Sequence, residues 1–156
     1  MAIMRITRNL EASLIDHLVD ELQEDWSNVR VTSSFAEVYD GKLPCIQVQM
    51  FRNPLVRKEI GSNRLLNEFI IDIRIFAVSE EQRQDLSDWV IEKIMRGFDY
   101  VEHTLTNGQV TASEVNGRVT IILKDNRIEF ENKESLIQED RNRQLIRCLA
   151  LVNKCH

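Results

Sequence analysis

Two runs constrain this chain more than anything else in it. LPCIQVQMF (43–51) and LLNEFIIDIRIFAV (65–78) both alternate apolar and polar residues. A period of two sends successive side chains to opposite faces of a strand. In the first run Ile46, Val48 and Met50 share one face, and Gln47 and Gln49 the other. In the second, Phe69, Ile71, Ile73, Ile75 and Ala77 oppose Ile70, Asp72, Arg74 and Phe76. Pro44 suits a strand start or an edge. The runs are expected to pair as antiparallel neighbours, joined by the connection RNPLVRKEIGSNR, 52–64. A sheet with one apolar face needs a cover.

The cover is legible too. Leu10, Leu14, Ile15, Leu18, Val19, Leu22 and Trp26 recur at spacings of three and four, which predicts an amphipathic helix. Thr7 or Asn9 is expected to cap it. Ser79-Glu80-Glu81-Gln82 has the form of a capping box and opens a second helix through about Arg96. Leu86, Trp89, Val90 and Ile94 form its apolar stripe, and Gly97 sits where a left-handed residue ends a helix.

The remainder reads as strands. Segments 29–31 and 35–39 are rich in strand formers and lead to the turn signal Asp40-Gly41. Asn107-Gly108 and Asn116-Gly117 predict two tight turns between strands at 100–105, 109–115 and 118–123. Ile128 and Phe130 suggest a further short strand, and ENKESLIQEDRN a loop or a short helical turn. RQLIRCLALV is apolar on both faces, as in the middle of a sheet. The expectation is an α+β fold: a mainly antiparallel sheet with two amphipathic helices packed on one face, in one domain over 1–156. The hairpins of 100–130 elaborate that plan.

Composition removes several classes of function. With 156 residues there is material for one core and little for two. No apolar run approaches a membrane span, and MAIMRITRNL lacks the apolar stretch of a secretory signal. Cys45, Cys148 and Cys155 are odd in number and far apart, which fits reduced thiols in a cytoplasmic setting. A net charge of −5 argues against nucleic-acid attraction by the molecule as a whole.

Catalytic patterns are sparse. There is no phosphate-cradling glycine loop, and His17, His103 and His156 belong to no metal-binding spacing. His17 is expected to be solvated, and Cys155-His156 reads as a chain end with an incidental thiol. Asp125, Glu129, Glu131 and Lys133, in KDNRIEFENKE, contain the E-x-K form of a Mg²⁺-dependent nuclease. Charged residues after a hairpin more often form a solvated rim. The expectation is no enzyme, no cofactor and no metal site.

The basic connection stands out instead. It carries Arg52, Arg57, Lys58 and Arg64 against Glu59 alone, in an acidic chain. Thirteen residues is long for a connection between paired strands, and such loops often bind. A projecting basic arm could meet a neighbouring copy's acidic surface or line a channel for a polyanion. Asp16, Asp20, Glu21 and Glu24, on the polar side of the first helix, offer such a surface.

Over roughly residues 8–96, with 143–152 as a closing strand, the order helix, strands, long basic connection, strand, capped helix resembles the tail-terminator and head–tail joining proteins of tailed bacteriophages. The stretch from LPCIQVQMF to DLSDWV carries the likeness. The resemblance implies a non-enzymatic virion protein that is assembled in the host cytoplasm. It would form a homo-oligomeric ring, a hexamer being favoured, at the head–tail junction. Its partners would be further copies of itself, the tail tube protein and the head connector, with duplex DNA passing through. It places Arg52, Arg57, Lys58 and Arg64 at a subunit interface or lumen, with the acidic helix face as complement. A chain of this length has a diameter of about 40 Å, so six in a ring leave a hole of about 40 Å. A neck or head-completion adaptor of another kind and a cytoplasmic protein-interaction module are the alternatives, with the Mg²⁺-dependent nuclease behind them.

Overall fold

In a computed structural model the described residues are 2–3, 5–52, 68–130 and 137–154. Seven strands form one sheet in the order β1-β5-β6-β7-β4-β3-β2. They are β1 (Ala2–Ile3), β2 (Arg30–Thr32), β3 (Cys45–Arg52), β4 (Glu68–Phe76), β5 (Phe98–Thr106), β6 (Gln109–Phe130) and β7 (Arg143–Asn153). The helices are α1 (Ile6–Asp25), α2 (Phe35–Asp40) and α3 (Glu80–Met95), with a 3-10 turn at Gln138–Asp140. Every pairing is antiparallel except β2 with β3. The fold is α+β, as expected.

The two alternating runs pair from Cys45 opposite Phe76 to Arg52 opposite Phe69. This register places Ile46 against Ile75 and Val48 against Ile73, so their apolar sets share one face. β7 extends that face through Ile146, Cys148, Ala150 and Val152, and β6 through Val119 and Ile121. α1 covers it with Leu10, Leu14, Leu18 and Leu22, and α3 with Leu86, Trp89, Val90 and Ile94. Burying one such side chain fully stabilises by about 1.5–3 kcal/mol, so this layer dominates the stability.

Both ends of α3 are as the sequence predicts. The Ser79 hydroxyl accepts from the Gln82 amide at 3.2 Å, and Gly97 takes φ +75°. α1 begins differently. Its N-cap is Arg5, with no side-chain cap, and Asn9 lies fully buried inside the helix. Neither Thr7 nor Asn9 caps, because the helix starts a turn earlier and Asn9 is engaged with β5.

Two strand expectations are corrected. Residues 35–39 belong to α2, where Phe35, Val38 and Tyr39 sit at helical spacing. Val38 packs with Cys45 and Phe76 beneath the sheet, on the face opposite α1 and α3. Asn116-Gly117 makes no turn; the strand runs through it from Gln109 to Phe130. Gly117, at φ +126°, lies where an added Cβ would meet the Asn153 carbonyl oxygen. The glycine therefore serves a close crossing of β6 and the end of β7. Asn107-Gly108 does turn, with φ +53° and +77°, the left-handed pair of a tight hairpin.

Candidate interaction surfaces

The face of the sheet away from α1 and α3 carries the polar halves of the alternating strands. Register places Gln49, Asp72, Arg147 and Asp125 in one row across β3, β4, β7 and β6. Asp72 is 1% exposed and accepts two bonds from the Arg147 guanidinium, at 2.7 and 2.9 Å. That contact holds the Arg147 pKa above its ordinary value. Arg74 donates to Glu129 Oε1 at 2.9 Å and to Gln49 at 3.1 Å, and Arg143 takes Glu129 Oε2 at 3.1 Å. Arg74 also lies over the Phe35 ring and Arg143 over Phe76, so α2 closes this end of the network.

These contacts bear on the carboxylates of the E-x-K stretch. Both Glu129 oxygens are held by arginines, and Asp125 pairs with Arg127 at 3.3 Å. Glu131 and Lys133 lie outside the described residues. Among the described residues no group of three His, Cys, Asp or Glu is arranged to hold a metal ion.

Next to the charged row, Phe51, Ile70, Leu149 and Ile122 line up across the same four strands. Phe51 and Ile122 are each 40% exposed. A groove of about 260 Å³ opens here, lined by Ile70, Leu149, Lys124 and Arg147.

The acidic side of α1 divides in two. Glu21 and Asp25 both reach Lys93 of α3, at 3.3 and 3.6 Å. The indole N–H of Trp89 donates to Asp25 at 2.8 Å. This bond first, and then the Lys93 charge, hold the Asp25 carboxyl below its ordinary range. Desolvation pulls the Lys93 ammonium down, yet Glu21 and Asp25 outweigh it and leave its pKa raised. Asp16, Asp20 and Glu24 are exposed and make no ion pair among the described residues. Asp16 and Asp20 border a shallow groove of about 170 Å³ with His17 and Asp99.

His17 is not solvated as the sequence suggests. Its ring stacks on Phe98 at 5.4 Å, and Nε2 donates to the Lys93 carbonyl at 3.1 Å. The helix turns this histidine toward the end of α3 and the start of β5, at the border of the groove it shares with Asp16 and Asp20. Cys45 and Cys148 are buried, and burial pushes the Cys148 thiol up to about 12.

Of the basic connection, Arg52 ends β3 opposite Phe69, while Arg57, Lys58 and Arg64 lie outside the described residues. Cys155 and His156 lie outside them as well.

The third surface is an arm. Beyond the last β6–β7 pair, Arg118 with Asn153, the β5–β6 hairpin runs on to its turn at Asn107-Gly108. The outer edge of β5 is closed along this length. The Ser13 hydroxyl accepts from the Val101 amide at 3.0 Å, and Asn9 Oδ1 from the His103 amide at 3.3 Å. β1 then pairs with Thr104 and Leu105. Asn9 and Ser13 are thus polar residues on a buried helix face with a job at a sheet edge. Their spacing of four beside the leucine stripe was the available signal, and β1, two residues long, left none.

Among the described residues no helix is long and apolar enough to cross a membrane. No protein-family model matches the sequence, and a comparison with curated proteins finds no match.

Proposed function

We propose that this protein is a non-catalytic assembly protein that forms a ring of about six copies, a tail terminator or close neck relative of a tailed phage. The observation that carries the reading is a separation of charge. Asp16, Asp20 and Glu24 stand exposed without ion-pair partners among the described residues, and the sequence gathers Arg52, Arg57, Lys58 and Arg64 within thirteen residues. Opposite charges gathered on separate segments of one chain favour head-to-tail contact between copies. The order α1, β3, β4, α3, with β7 as closing strand, supports the likeness to the neck proteins. In this reading the virion's head–tail junction is its location, and the tail tube protein and head connector are its neighbours.

Light scattering across concentration and salt, with negative-stain imaging, tests it. The expected result is a closed ring whose assembly weakens at high ionic strength and after Arg57→Glu with Lys58→Glu. A protein that stays monomeric at every concentration, alone and with tail tube protein, overturns the reading.

A further inference from the structure

The two edges of the arm are treated oppositely. The β5 edge is closed by Ser13, Asn9 and β1, whereas the β6 edge has no partner over 109–116 among the described residues, since β7 meets it only from Arg118 onward. Residues 106–115 are all exposed. A bare strand edge is a template for another strand, and proteins that must not pair guard it with lysine, proline or a covering element. From 97 to 117 there is no Lys, Arg or Pro.

What the edge presents is also unbalanced. Val110 pairs with Leu105 and Val115 with Val101, and a register shift between Thr104 and Leu105 separates them. The shift converts a spacing of five into one shared face, so both valines, 51% and 61% exposed, point the same way. On the other face Glu114 stands directly opposite Glu102. Like charges so placed repel. Asn116 and Lys154 reach Glu102, but Glu114 makes no ion pair among the described residues.

We infer that the β6 edge over 109–116 pairs with a strand from a second copy of this chain, which continues on β6 the ladder that β7 leaves at Asn153. The inference rests on the self-association proposed above and names a surface that carries it. A second copy fits as occupant by charge. Asp99 is paired with Arg118 and Glu102 with Lys154, which leaves Glu114 as the arm's acid without an ion pair among the described residues, and the chain's own basic stretch at 52–64 is of the complementary charge. Main-chain hydrogen bonds would supply affinity, Val110 and Val115 would bury apolar area, and a cation would settle Glu114.

The test is amide hydrogen exchange on the full chain at rising protein concentration, with mass followed in parallel. The expected result is that amides of 109–116 slow by roughly tenfold or more as the assembly forms, while those of 101–105 stay unchanged. Val110→Lys with Val115→Lys should raise the concentration needed for assembly roughly tenfold, since it removes two apolar cross-strand contacts and adds charge at the edge. Circular dichroism checks that this variant still folds, and the wild-type exchange result stands without it. A ring whose 109–116 amides exchange freely overturns this inference and leaves the ring reading intact. A dimer with those amides protected supports the inference and overturns the ring. A monomer at all concentrations, alone and with tail tube protein, overturns both.

Discussion

The two faces of the sheet are built from the same strands and work by different physics. On the helix-covered face β4 presents Phe69, Ile71, Ile73 and Ile75, all at most 2% exposed, to the leucines of α1 and the stripe of α3. On the other face it presents Ile70, Asp72, Arg74 and Phe76, and only the Phe76 end is capped by α2. The covered face gains from removing apolar surface from water, which is insensitive to exact geometry. The second face gains from arginines placed on carboxylates, which depends on geometry and on partial exclusion of water. Alternation alone thus gives one strand a packing role and a pairing role.

Substitutions along β4, β6 and β7 measure how far the roles differ. The largest effect is expected for Ile73→Ala, a cavity under both helices, at about 2–5 kcal/mol in denaturant unfolding. Ile122→Ala, on the exposed row, should cost less than about 1 kcal/mol. Equal losses at the two sites would abolish the distinction. Asp72→Ala comes next. Removing one member of a fully buried pair costs about 3–5 kcal/mol, but Arg147 is 45% exposed and stays hydrated, so about 1–3 kcal/mol is expected. Restoring Asp72→Ala to wild-type stability with Arg147→Leu would show that stranded charge, rather than lost packing, causes the loss.

Smaller effects come from the polar contacts between the two helices. The Asp25 carboxyl is held below its ordinary value, so the stability it contributes is present above the ordinary carboxylate range and lost as pH falls through it. Thermal stability should therefore decline on acidification below about pH 4, and Asp25→Asn should flatten that decline. An unchanged acid slope in the variant would remove Asp25 from the account. The least perturbing probe is a thiol reagent. Cys148, on the covered face with its pKa pushed up to about 12, should stay unlabelled in the native protein at neutral pH and react on unfolding.

How much of this was legible followed the length of each pattern. The alternation of 43–51 and 65–78, the stripes of both long helices and the buried β7 repeat a residue class often enough to fix element and face, and the Ser79 capping box marks a helix start; register came only with the structure. Short elements carry no such repetition. Phe35, Val38 and Tyr39 are strand formers individually, and in α2 they pack on β4, Tyr39 against Phe76 and Phe35 under Arg74. Asn116-Gly117 has the composition of a turn, but its glycine answers a steric demand from Asn153, a residue 36 positions away. The sites were less legible than the fold. Asp16, Asp20 and Glu24 are exposed as expected, while Glu21 is engaged with Lys93. The arm's edge, without a partner among the described residues, is invisible in sequence, because exposure of an edge depends on where a different strand stops.

The strand order holds a consequence for how the molecule comes into being. β7 lies between β6 and β4, yet it follows both of them along the chain. Before it arrives, β2-β3-β4 and β1-β5-β6 are two half-sheets with no ladder between them. A growing chain leaving the ribosome would carry both halves, each with a long open side, until about residue 153 emerges. Such edges invite pairing with the wrong partner. That eleven-residue strand works like the closing tooth of a zip, and its delivery should set the rate at which the native sheet appears.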